Sequence, residues 1–124
     1  MKAKLGLARR ALLLAPLLLT LAPRRAAAHA MLLDSIPVAG ATVPMGQISF
    51  ILRFNSRVDR ARSRLMLIGQ HGEQTVLTIN PAGPEDTLSA QAIISPGGQS
   101  LRWQVLALDG HVTRGQIPFI VTKG

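Results

Sequence analysis

Beyond residue 28 the apolar side chains recur at alternate positions in short runs, and Gly, Pro, Asn and Asp separate one run from the next. Alternation puts every second side chain on one face of an extended strand, whereas an amphipathic helix needs a repeat near 3.6, which no useful length of this chain shows. Gln47 to Phe54 is the clearest run: Ile48, Phe50, Leu52 and Phe54 share one side, with Gln47, Ser49 and Arg53 opposite. Leu101 to Leu108 sets Leu101, Trp103, Val105 and Ala107 on one face, and Gly115 to Thr122 does the same with Ile117, Phe119 and Val121. Leu32 to Ile36, Arg64 to Ile68, Gln74 to Ile79 and Leu88 to Ile94 complete seven expected strands. Turns are expected at Val38 to Ala41, Gly69 to Gly72 and Pro96 to Gly98, with a loop from Asn80 to Asp86. Short strands spaced by such turns predict an all-β domain, a seven-stranded Greek-key sandwich or barrel.

The first 28 residues follow another pattern. Lys2, Lys4, Arg9 and Arg10 precede a leucine-rich run from Ala11 to Ala22, and Pro23 to Ala28 ends in small residues. Basic, then apolar, then small is the order of an export signal. The apolar run is about a dozen residues, short of the roughly 20 that span a bilayer. Residues 1–28 are therefore expected to be a cleaved signal peptide, and 29–124 a single exported domain that is not membrane-embedded. Arg9-Arg10 before the apolar run and Arg24-Arg25 near its end resemble twin-arginine export signals. Two cleavage points fit the small-x-small rule: Ala26-Ala27-Ala28 leaves His29 first, and Ala28-His29-Ala30 leaves Met31 first.

The leader also accounts for most of the charge. It holds six of the 14 Lys and Arg and none of the six acids, so the +8 of the whole chain falls to about +2 for residues 29–124. Nucleic-acid binding, which needs a basic stripe against phosphates, loses its support. Arg57, Arg60, Arg62 and Arg64 remain as a small cluster, expected to be a solvated connection between strands. The chain has no cysteine, which excludes thiolate chemistry and a blue-copper centre. No Ser/His/Asp arrangement with a catalytic context is present.

Three histidines remain: His29, His71 and His111. His71 is expected to be a solvated loop residue. Asp109 and His111 flank Gly110, and on extended backbone side chains two apart share a face; the simpler reading is an Asp-Gly turn followed by an exposed His. If His29 is the first mature residue, its α-amine, with an ordinary pKa of about 7.7–8.0, and its imidazole can chelate one ion. His111 adds a third nitrogen and Asp109 an oxygen. Nitrogen ligands with one carboxylate in a tetragonal set suit Cu(II), which outcompetes Zn(II) by affinity order. Met31, Met45 and Met66 are expected to fill gaps in the core.

The stretch from Leu101 through Trp103 to Asp109-Gly110-His111, followed by Gly115 and Phe119-Ile120-Val121, resembles the end of CopC-like copper-binding proteins. His29 after an Ala-rich leader, with Leu32, Ser35, Pro37 and Gly40-Ala41, resembles their start, and Ile48 to Phe54 their second strand. The resemblance covers most of residues 29–124. It implies a seven-stranded Greek-key β-sandwich, cupredoxin-like or immunoglobulin-like. It also implies one Cu(II) ion per chain on the His29 amine and imidazole, Asp109 and His111. The implied role is periplasmic copper carriage, homeostasis or resistance, by a monomer that is not an enzyme, often beside an inner-membrane copper protein. The chain departs from the family pattern at Phe54-Asn55-Ser56, where relatives have Phe-Ser-Glu, and at Gln104, Ala107 and Val112. It has no Met cluster for Cu(I).

Two other readings stand beside this one. A metal-free exported interaction sandwich follows if the leader is cut after Ala30. An N-terminal His chelate also resembles the copper site of lytic polysaccharide monooxygenases, but this chain has only four aromatic residues with which to build a substrate face.

Overall fold

The computed structural model describes residues 29–124; the expected leader, residues 1–28, lies outside the described residues. Eight strands form: β1 (Leu32–Ile36), β2 (Ala41–Pro44), β3 (Gly46–Phe54), β4 (Val58–Ile68), β5 (Gln74–Leu77), β6 (Thr87–Ile94), β7 (Gly97–Ala107) and β8 (Val112–Thr122). They make two sheets, ordered β1-β3-β6 and β2-β8-β7-β4-β5. The chain crosses between the sheets at β1–β2, β2–β3, β3–β4, β5–β6 and β6–β7, and the result is the expected all-β sandwich.

The eighth strand is the difference from the seven expected. Ala41–Pro44 pairs in parallel with Phe119–Thr122, where the sequence predicts only the end of a turn. The segment is short and lies at a sheet edge, where a proline is tolerated, so no alternating pattern marks it. Three further strands start at least three residues earlier than predicted, β8 at Val112 among them. β7 begins at Gly97, because Gly97 and Gly98 pair with Val121 and Ile120 through backbone alone. β4 begins at Val58 and carries a register shift between Asp59 and Arg64, which breaks its alternation.

The alternating runs do supply the core. Phe50, Leu52, Phe54, Leu101, Trp103, Val105, Ala107, Ile117, Phe119 and Val121 are all buried between the sheets. Burying a large apolar side chain contributes roughly 1.5–3 kcal/mol, so these inner faces dominate stability. The Phe50 and Phe119 ring centroids are 5.6 Å apart, and Phe54 meets Trp103 edge-on at 5.3 Å. A Cβ at Gly115 would overlap the Trp103 ring, so this glycine makes room for the core tryptophan.

Two expectations need correction. The arginine cluster disperses: Arg57 pairs with Glu85 at 3.1 Å, and Arg62 lies 3.8 Å from Asp59. Arg60 turns onto the Asn80–Asp86 loop and donates to the carbonyls of Pro81, Pro84 and Thr87 at 3.2, 2.6 and 3.2 Å. A loop with no ladder of its own needs such donors for its carbonyls. Met31 and Met45 are not core residues, being 55% and 48% exposed; Met66 is half-buried on the outer face of β4.

Candidate metal centre

The β7–β8 connection is the four residues Leu108-Asp109-Gly110-His111. Gly110 N–H donates to Ala107 O at 2.9 Å, and Ala107 N–H donates to His111 O at 2.9 Å. Gly110 sits at φ 92°, a conformation that glycine adopts without a Cβ clash. Asp109 and His111 therefore do not share a strand face, as extended backbone would require. The Asp-Gly turn is real, and the two side chains meet because the turn folds one onto the other.

Their contact is double. His111 N–H donates to Asp109 Oδ1 at 3.0 Å, and His111 Nδ1 lies 2.8 Å from Asp109 Oδ2. The backbone N–H of His111 is the first cause holding the Asp109 carboxyl below its ordinary value; the imidazole hydrogen bond and the nearby His111 and His29 rings reinforce it, against partial desolvation. Asp109 is thus an anion at neutral pH. With Nδ1 facing that anion, Nε2 of His111 is directed away from it and is open to another partner.

The neighbouring imidazole is that of His29. Its ring lies 4.6 Å from the His111 ring, nearly perpendicular to it. The segment that carries it is fixed at two points. Ala30 is wholly buried and belongs to the core cluster. Met31 N–H donates to Asn55 Oδ1 at 2.8 Å, and Asn55 N–H donates to Met31 O at 2.9 Å. Asn55 follows β3 and extends its pairing with the start of the domain by one residue, to Met31. Short polar side chains at strand ends commonly satisfy backbone groups in this way.

The three sequence-predicted residues are therefore neighbours: His29 beside His111, and His111 on Asp109. They do not form a closed cage. Among the described residues no group of three His, Cys, Asp or Glu is placed to hold a metal ion together. Sequence reasoning missed Ala30 as a core residue and noted Asn55 only as part of a departure from the Phe-Ser-Glu of relatives, in which the acid is lost at Ser56. The cue for Asn55 was its place, an amide directly after the Phe50–Phe54 alternation. His71 is exposed in the β4–β5 turn, as expected, with its N–H on Glu73 Oε1 at 2.8 Å.

A family model described as CopC domain matches residues 32–122. The chain belongs to the CopC family. It is 30% identical over 100 residues to Protein YobA of Escherichia coli K12, covering 76% of this chain and 79% of that protein. Protein YobA of Shigella flexneri matches at the same 30% identity. Among solved structures, CopC from Methylosinus trichosporium OB3b superposes with a TM-score of 0.67 at 24% identity, over 75% of this chain and 93% of that one. PcoC of Escherichia coli, described as a methionine-rich copper resistance protein, gives 0.59 at 19% identity, over 77% and 100%. Identities this low establish the shared fold. Nothing in the described CopC domain is a helix long and apolar enough to cross a membrane.

Proposed function

We propose that this CopC-family protein binds one Cu(II) ion at the His29–His111 pair and serves copper carriage or tolerance after export. The observation that carries the reading is the 4.6 Å approach of the two imidazoles, one from the start of the domain and one from the β7–β8 turn. Family membership supports it, as does the description of the structurally similar PcoC as a copper resistance protein.

In this reading His29 gives its imidazole and, once the leader is removed before it, its α-amine; His111 gives Nε2. Asp109 holds His111 through Nδ1. Both Asp109 oxygens are engaged with His111, so direct ligation by the carboxylate requires one of those hydrogen bonds to be given up. Copper is the cargo here, and the chain's task is to hold nitrogen donors in place for it. The burial of Ala30 favours cleavage after Ala28: a cut after Ala30 would take a core residue and the His29 chelate together.

Native mass spectrometry of the exported protein with one equivalent of Cu(II) tests this. A mass that starts at His29 and retains one copper is the expected result. A mass that starts at Met31, or no retained copper, contradicts it and leaves the metal-free interaction sandwich.

A further inference from the structure

The net positive charge of residues 29–124 is concentrated on one face. On the outer side of the larger sheet, Arg64, Gln104 and Arg114 form one cross-strand row, and Met66, Arg102 and Gln116 the next. All three arginines are exposed. They line one shallow cleft with Met66, Gln104 and Gln116. The ion pairs among the described residues are Arg53–Asp34, Arg57–Glu85, Arg62–Asp59 and His111–Asp109, and these three arginines are in none of them. Asp59 marks the end of the face, in register with Leu106, and is already engaged by Arg62. Of the three, only Arg114 hydrogen-bonds another side chain, donating to Gln104 Oε1 at 2.9 Å.

From this arrangement we infer that the β4-β7-β8 face is a docking surface for an acidic, extended segment of a partner protein. Guanidinium groups match carboxylates in a two-pronged geometry. Neighbouring strands are about 4.8 Å apart, so Arg64 and Arg114 are rooted about 10 Å from each other, with Arg102 about 7 Å further along the strands. That is too wide for one small anion unless three like charges lean together. It matches an extended peptide, whose alternate side chains are also about 7 Å apart. A membrane is the weaker fit, because recruitment to anionic lipid generally takes four to eight basic residues. The cleft begins at Arg114, three residues along the chain from His111, so a docked segment lies beside the metal centre; that bearing rests on the copper reading, while the docking surface does not.

The test is an NMR titration of the purified protein with an N- and C-terminally blocked peptide of alternating Glu and Thr. The expected shifts are confined to β4, β7 and β8. Affinity should fall about tenfold or more in R64Q/R102Q/R114Q, from three exposed charge pairs, and weaken as salt is raised. The triple variant should keep Cu(II) binding, and H111A should bind the peptide like the parent, so this idea and the copper reading can fail separately. Equal peptide affinity in the triple variant overturns the proposal. So does full competition by millimolar inorganic phosphate, which marks a small-anion site. Arginine-dependent sedimentation with phosphatidylglycerol vesicles, without peptide binding, also overturns it and marks a lipid contact.

Discussion

Two turns of this molecule are built alike and end differently. Gly69–Glu73 joins β4 to β5, and Ala107–His111 joins β7 to β8. In each, the first N–H of the five residues donates to the last carbonyl, and the fourth N–H returns to the first carbonyl. In each, the fourth residue is a glycine at positive φ, 85° for Gly72 and 92° for Gly110. Each also carries a histidine and a carboxylate two apart, His71 with Glu73 and Asp109 with His111. In both the histidine N–H donates to the carboxylate, at 2.8 and 3.0 Å. Only at the second does the carboxylate also engage the imidazole, and only there does another imidazole arrive from elsewhere in the chain. A turn with a His and an acid is thus no site by itself. The pinned His29-Ala30-Met31 segment is what makes the second one a candidate.

The comparison is broken most severely by removing the ring that His29 meets. His111→Ala should weaken Cu(II) binding about 100-fold or more in a competition titration, since loss of a ligand exceeds the 10–100-fold cost of losing an outer partner. His71→Ala should leave binding unchanged. Asp109→Ala removes the group that holds His111 and should weaken binding about 10–100-fold, with an altered visible spectrum. Asn55→Ala frees Met31 and lets the His29 segment fray; about tenfold weaker copper binding should accompany a stability loss of about 1 kcal/mol in urea unfolding, the usual worth of a hydrogen bond. The smallest effect on copper affinity sharpens the likeness of the turns. Gly72→Ala and Gly110→Ala should each destabilise by about 1–2 kcal/mol, the cost of a Cβ at positive φ. Neither Cβ would meet another atom within 4 Å, so steric overlap adds nothing. Only the change at Gly110 should also alter copper affinity.

These outcomes bear on what the sequence disclosed. β3, the second half of β7 and β8 were legible because each buries one face, so alternation survives in Phe50, Leu52 and Phe54 or in Trp103 and Val105. β2 and the first residues of β7 were not, because they pair through backbone at an edge or through glycines. The start of β4 was hidden by a bulge and by arginines whose partners are remote in sequence, Arg60 above all. At the candidate centre the donors His29, Asp109 and His111 were legible as residue types. Their support was not: Ala30 looks like part of the leader until it is seen in the core, and Asn55 gains its role only from Met31, 24 residues away.

The central claim is that copper is held jointly by the start of the domain and the β7–β8 turn. Electron paramagnetic resonance of the one-to-one Cu(II) complex tests it most directly, on the protein beginning at His29 and on H111A. The account predicts coupling to three nitrogens in the parent, the amine and two imidazoles, and the loss of one in H111A. An identical spectrum in the two proteins would contradict it and place the ion away from the β7–β8 turn.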